Sequence, residues 1–588
     1  MPQMRGEGVA VPVSRADRYV LCTAIVAGAV AYSSHLTSFL HAKEAVLAAG
    51  AGVLGVLYLK RGRVPRGSFW LVGPFGVSLI WGLIPGIFGS VPLGASNLVE
   101  CLRWVILLLF AVCAFPILCS EERRQAVHRA IVGSAVIVGI LATLQYGRLM
   151  PHFFPDYGGT AQRIYSVFGN AGLLGGYLAI AFPLALHDAF KPGRTGRIAL
   201  VALAIIAGAL LLSGARSAWL AAAAGAAFIL VSARPARGRL IAMGVVAVAF
   251  VTILCLIAPE ETVERLISMF RSVDPGRSLR EWFWLGTWRM VEDSPLTGVG
   301  LGNYGAFSAR YLGEVLWEPG GDRLAHNLLH TDHAHCDVLE LLAELGVIGV
   351  IPLVLWWGRL IRCRGPEWGG LLSLAVFSLA YYPFYSAPHA ILGLLLAGCL
   401  LGRAPKLAEG CSATRSSRLL SRTLGIGALL VLPLVLWMVV LPSYLLRTAE
   451  SSHLKGEDST VAYERVVALR FTPSETHEMY GLALLDAGRF EDARDAFRTA
   501  CKEMDSGGAY LGLAASLLMT GDSVGARDAV EQSLRRWPSS FEAWALLLKA
   551  SPPHKRADIV LRARVWLEPG EIERLLATTD RAAPATTP

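Results

Sequence analysis

Apolar runs of about 16 to 23 residues recur from Tyr19 to Leu446, separated by short polar connections. Crossing ~30 Å of hydrocarbon takes roughly that length of helix, so each run predicts a membrane span. They fall near residues 19–40, 44–59, 69–89, 98–118, 127–147, 171–190, 198–213, 217–232, 240–258, 337–358, 368–385, 388–402 and 423–446. The chain from 198 to 231 is almost continuously apolar and breaks only at Ser213-Gly214-Ala215-Arg216-Ser217. Basic clusters flank both of its ends. One long span would put one cluster on the wrong side, so two short spans with Arg216 at the turn are expected. Beyond Arg447 the pattern becomes that of a water-facing helical domain. Gly488 with Ala493, Ala496, Phe497 and Ala500 returns about 33 residues later as Gly521 with Ala526, Val530 and Leu534. That spacing resembles tetratricopeptide repeats, in which small residues let paired helices approach. The expected fold is therefore all-α: a polytopic bundle of about 13 spans, then a helical solenoid.

The connections set the orientation. Lys60, Arg61, Arg63 and Arg66 share one, and Arg123, Arg124 and Arg129 another. Lys191, Arg194 and Arg197, then Arg234, Arg237 and Arg239, then Arg359, Arg362 and Arg364 follow the same alternation. Every second connection is basic, which places those connections and residues 1–18 in the cytoplasm. Residues 19–446 then form the membrane domain, the long loop 259–336 lies outside, and residues 447–588 form an outer, periplasmic domain. Arg15 and Arg18 before an apolar run imitate a signal peptide, but further spans follow at once, so an uncleaved first span is expected.

Composition agrees. The chain of 588 residues is 54% hydrophobic and 17% charged, too little charge to cover a water-soluble protein of this size. Its net charge of +9 sits in the connections between spans, so nucleic acid is not an expected partner. The ten cysteines are scattered without a paired framework, which supports neither a disulfide scaffold nor a cysteine metal site.

Candidate chemistry gathers outside. Arg216 stands at the membrane boundary, where a charge is either functional or a snorkelling anchor. The segment Ser278–Met290 places Arg280 with Trp284, Trp288 and Val291 on one helical face, fit for an interfacial helix that also carries Arg289. Pro295–Tyr304 (PLTGVGLGNY) is glycine-rich, but no strand precedes it. A tight turn whose N–H groups face an anion is expected, not a nucleotide loop. Then come His326, His330, His333 and His335. A metal pair at His326 and His330, structural histidines, and a general base acting near neutral pH are all compatible with this cluster.

The run His333-Ala334-His335-Cys336-Asp337-Val338-Leu339-Glu340-Leu341-Leu342-Ala343-Glu344-Leu345-Gly346 resembles the signature of the O-antigen ligase and polymerase superfamily. His335 aligns with that family's essential histidine, while Cys336 stands where an asparagine is usual. Arg280 with Trp284, Asp293-Ser294-Pro295-Leu296 and Gly298-Val299-Gly300 is similar to the family's loop. Ser213–Trp219 is similar to its Ser-Arg-x-x-Trp turn and assigns Arg216. Arg163 with Phe168-Gly169-Asn170 resembles a further block, with Ala171-Gly172 in place of a common Pro-Asn. Together the likeness covers roughly residues 160–400.

The resemblance implies an inverting, metal-independent glycosyltransferase without a cofactor, in a bacterial inner membrane. Its donor would be an undecaprenyl-pyrophosphate-linked glycan, and its acceptor a glycan, lipid A-core or protein hydroxyl. His335, Arg280 and Arg216 would be catalytic. Arg163, His333, His330, Arg289 and Tyr304 would bind substrate, membrane lipids would surround the bundle, and the repeat domain would offer a protein partner a surface. A flippase for lipid-linked glycans would need charges inside several spans, and a non-catalytic scaffold would tolerate changes at His335.

Overall fold

The computed structural model describes residues 13–59, 64–88, 94–150, 164–235, 275–324, 331–408, 415–469, 471–473 and 475–580, with Gly238 and Gly244. The expected span at 240–258 lies outside these residues, as do Arg163, His326 and His330. Everything described is helix or connection, with no strand. The membrane part holds α1 (Arg15–Val30), α2 (Phe39–Leu59), α3 (Arg66–Ile87), α4 (Ala95–Leu118), α5 (Glu121–Tyr146), α6 (Ala171–Ala189), α7 (Gly193–Leu212) and α8 (Arg216–Ala233). The long connection contributes α9 (Pro275–Asp293) and α10 (Tyr304–Leu316). After it come α11 (Asp337–Leu360), α12 (Glu367–Ser378), α13 (Ala387–Gly402) and α14 (Arg415–Leu454). Nine of the described helices are long and apolar enough to cross a membrane.

The apolar run from 198 to 231 is indeed two helices. Gly214, at φ +63°, turns the chain between them, and Arg216 opens α8. The first two expected spans need a boundary correction, because α1 stops at Val30 and α2 starts at Phe39. Lys43 and Glu44, which lie where the two expected spans meet, are both buried inside α2. Lys43 Nζ donates to the carbonyls of Ala29 and Ala31 at 2.6 and 2.8 Å, closing the end of α1, and Glu44 accepts from Arg103 at 2.6 Å. Each charge is matched, so it can stay among helices. Small residues set the helix spacing, as membrane packing requires. A Cβ added at Gly55 of α2 would stand 2.7 Å from the Ala428 Cβ of α14.

α14 is one continuous helix of 40 residues with a π-turn at Leu436–Val440, and it delivers the chain directly into the repeats. These are α15 (Thr460–Val467), α16 (Thr476–Asp486), α17 (Phe490–Glu503), α18 (Gly507–Met519), α19 (Ser523–Arg536), α20 (Phe541–Ala550), α21 (Arg556–Ala563) and α22 (Pro569–Asp580). Gly488 and Gly521, at φ +72° and +88°, make the turns expected from the 33-residue spacing. Phe497 is fully buried, and its ring fills the space that side chains on Gly481 and Gly512 would take. The repeats grip the long connection. Asp505 N donates to Ala306 O at 2.9 Å, Trp317 Nε1 to Leu534 O at 3.3 Å, and Trp317 packs edge-on to Trp566.

Candidate active site at the end of a broken helix

The site is built around a break in α11. Gly346 takes φ +62° and ψ −179°, a conformation open to glycine, so the helix's hydrogen bonding is interrupted and its carbonyls turn outward. The Pro295–Tyr304 block fills the gap. Val299 N and Gly300 N donate to Ala343 O and Glu344 O, each at 2.9 Å, while Val347 N and Ile348 N donate back to Pro295 O and Leu296 O. Trp81 Nε1 takes Leu345 O at 3.0 Å. The N–H groups of the glycine-rich turn face a carboxyl group that the chain supplies itself. Glu344 Oε1 accepts from Gly302 N at 3.0 Å and Tyr304 N at 3.1 Å, and its other oxygen accepts from the Tyr385 hydroxyl at 2.7 Å.

His335 sits just before α11 in a left-handed conformation, φ +52°. Phe283 of α9 stacks on its ring at a centroid distance of 5.5 Å, and Tyr381 and Tyr382 meet it edge-on at 5.2 and 5.1 Å. Arg280 lies one helical turn before Phe283 and acts on His335 electrostatically. Burial first, then His333 and Arg280, lower the His335 pKa to about 4, so the imidazole is neutral at working pH. His333 is the second member: its Nδ1 pairs with Glu340 Oε1 at 2.7 Å and its ring stacks on Tyr382 at 4.0 Å. The other Glu340 oxygen accepts from Ala334 N at 2.8 Å. One carboxylate thus holds the backbone between the two histidines. Tyr381 donates to Asn170, whose side chain also caps the start of α6.

Arg216 reaches the same end of the bundle through α6. Gly172 and Gly175 are three residues apart and share a face of that helix. A side chain at Gly172 would fall on the Tyr381 ring, and one at Gly175 would stand 2.7 Å from Ala215, next to Arg216. His335, Arg280 and His333 are therefore directly grouped, with Arg216 one helix away.

Two other expected residues go elsewhere. Arg289 is nine residues from Arg280, half a turn around α9 at about 100° per residue, and it forms ion pairs with Glu292 and Glu318 at 2.8 and 2.6 Å. Tyr304 is 1% exposed, with its hydroxyl 3.0 Å from Thr287 Oγ1, so its side chain reaches no open surface. The expected tryptophan face of α9 also divides: Trp288 is 48% exposed, while Val291 is buried. Cys336 occupies the N-cap position of α11 without a side-chain capping bond. Glu340 and Phe283 were not singled out from sequence, and Glu344 stood out there only as one of the few charges inside the spans, with Glu100 and Arg103. Among the described residues, His128, Glu367 and Cys399 bring possible metal ligands together at the other end of α5, but Arg403 Nη2 already holds Glu367 at 2.8 Å.

Residues 201–354 match the family model described as O-antigen ligase, and residues 462–509 and 478–541 match that described as tetratricopeptide repeat. Arg216, Arg280, His333 and His335 all fall within the first match. No curated protein matches the chain. The chain thus joins a multi-pass helical bundle, part of which is similar to the O-antigen ligase family, to tetratricopeptide-like repeats.

Proposed function

We propose that this O-antigen ligase domain transfers a saccharide from an undecaprenyl-pyrophosphate-linked donor to an acceptor hydroxyl at the outer, periplasmic face of a bacterial inner membrane. The observation that carries the reading is a neutral histidine held beside a guanidinium and caged by aromatic rings. Neutral His335 takes the proton of the acceptor hydroxyl as that oxygen attacks the anomeric carbon from the face opposite the leaving group, giving inversion. Arg280 and Arg216, with Arg163 as a third, neutralise the charge growing on the departing pyrophosphate. Guanidinium forks do this bidentately without a metal ion. A bound pyrophosphate also offsets the Arg280 charge that depresses His335, so donor binding strengthens the base. His333 tethers the His335 backbone through Glu340.

The test is glycan transfer by membrane-inserted variants. Arg216→Ala and Arg280→Ala should each lose on the order of 10²- to 10³-fold in rate, by analogy with a lost oxyanion donor. His335→Ala should lose ~10²- to 10⁴-fold. Full transfer by all three would sink the proposal. In cells lacking the protein, single repeats accumulating on the lipid carrier would identify a polymerase, and finished polymer on the carrier a ligase.

A further inference from the structure

A second chamber lies behind the histidines, one tyrosine away from His335. Its volume is about 480 Å³, within the range of ligand pockets. Its wall is drawn from the start of α2, the start of α4, the 302–306 and 332–333 segments, Glu340 and Glu344 of α11, Tyr385, the π-turn region of α14, and Phe471, Thr472, Pro473 and Glu475 of the repeat domain. His333 belongs to both places. It lines the chamber and stacks on Tyr382, whose ring His335 meets edge-on.

The wall carries hydrogen-bonding capacity that the protein leaves unspent. Glu100, Glu340 and Glu344 are committed to internal partners. Arg103 uses Nε on Glu44 and one Nη on Glu100, which leaves its second Nη unspent among the described residues. His41 Nδ1 bonds Ser443 and His333 Nδ1 bonds Glu340, so both Nε2 atoms remain available there. Thr472 is only 8% exposed and lines the chamber, and its hydroxyl has no partner among the described residues. An unpaired hydroxyl, a free guanidinium N–H and two imidazole nitrogens on one wall can be satisfied by a ligand with many hydroxyls of its own. Met438, Val439 and Phe471 supply an apolar side. The π-turn that includes Met438 and Val439 bends α14 at this level, and such turns concentrate at functional positions. Asp332 and Glu475 add carboxylates, so the wall disfavours an anionic ligand.

We infer that this chamber is a saccharide subsite that holds an uncharged, hydroxyl-rich sugar of one of the two glycan substrates, with the repeat domain forming its roof. The inference rests on the proposed glycosyl transfer. Hydrogen-bonding groups beside an apolar wall match a pyranose, which has hydroxyls at its rim and C–H groups on its face. The 471–475 roof makes sugar recognition depend on the repeat domain's seat on the membrane domain.

The test uses the full chain in detergent, with lipid-linked glycan extracted from membranes of the producing strain, and KM measured separately for donor and acceptor. Thr472→Trp fills the chamber without touching His335. It should raise one KM at least tenfold and leave kcat within about twofold. A donor effect and an acceptor effect both support the subsite and say which sugar it takes. Thr472→Val removes only the hydroxyl and should raise the same KM about threefold, so the inference stays testable if the tryptophan variant does not insert. Unchanged KM values in a properly inserted variant overturn it. His335→Ala separates the two ideas. If it keeps full transfer while Thr472→Trp raises KM, the assignment of the base fails and the subsite stands. If it abolishes transfer while the Thr472 variants behave as wild type, the base stands and the subsite fails.

Discussion

Replacing Gly346 by alanine tests whether the break in α11 is what seats the long connection. At φ +62° and ψ −179°, an L side chain costs on the order of 1–3 kcal/mol in backbone strain. The new Cβ would also fall on the backbone of Leu296 and Thr297, 2.6 Å from Thr297 N. That backbone cannot simply retreat, because Val347 N and Ile348 N hold Pro295 O and Leu296 O at 2.9 and 3.4 Å. Losing those two bonds adds about 1 kcal/mol each. The sum is roughly 3–5 kcal/mol. Gly358 lies in the same helix with nothing within 4 Å of an added Cβ, so Gly358→Ala should be neutral or gain up to ~1 kcal/mol. Thermal unfolding in detergent, followed by near-ultraviolet circular dichroism, should show Gly346→Ala melting about 2–5 °C below the Gly358→Ala control. Melting points within about 1 °C of each other would refute the claim that this glycine is conformationally required.

Four further outcomes are expected. With His335 at about 4 in the free protein, kcat/KM for transfer should be flat from mildly acidic to mildly alkaline pH and fall only as pH drops through about 4. The same depressed pKa gives stability that is fully present above the ordinary histidine value of 6.5 and is lost as pH falls toward 4; a base limb near 7 would contradict the burial of this ring. Cys336→Asn supplies the missing N-cap acceptor to α11 and should stabilise by roughly 0.5–2 kcal/mol in the same melting assay. Transfer should survive EDTA, and strong inhibition reversed by zinc would instead make His326 and His330 metal ligands.

Helix positions and the repeat domain were readable because each rests on a local pattern: run length for the spans, and a glycine and small-residue period for the repeats. Arg216 could be placed because loop charges forced a break at Ser213–Ser217. The misreadings came where a tertiary partner changed the meaning of a residue. The boundary between the first two spans was misplaced near Lys43 and Glu44, since nothing local announces that Ala29, Ala31 and Arg103 will match these charges inside α2. Arg289 shared a segment with Arg280, but helical phase sends it to the opposite side. Tyr304 stood in the right block and contributes its N–H, not its ring. That the turn's N–H groups would meet an acidic group was foreseeable in kind. That Glu344 of the next helix would provide it was not, because the two are brought together only by the break at Gly346.

That break ties chemistry to the repeats. α10 is held at its start by Glu344, which accepts from Tyr304 N, and at its end by Trp317, which donates to Leu534 O. Glu344 lies on the same helix as Glu340, the carboxylate that positions the segment between His333 and His335. A displacement of the repeat domain must therefore pull on α10, on the glycine-rich block and on the gap at Gly346 before it can leave the histidines untouched. The α10-contacting edge of the repeats is engaged by the protein's own loop, so it is not a vacant surface for a partner. On the proposed function, its physical role would be to fix the geometry of His335 and Arg280, and preorganisation of that kind is where electrostatic catalysis gains its advantage over water.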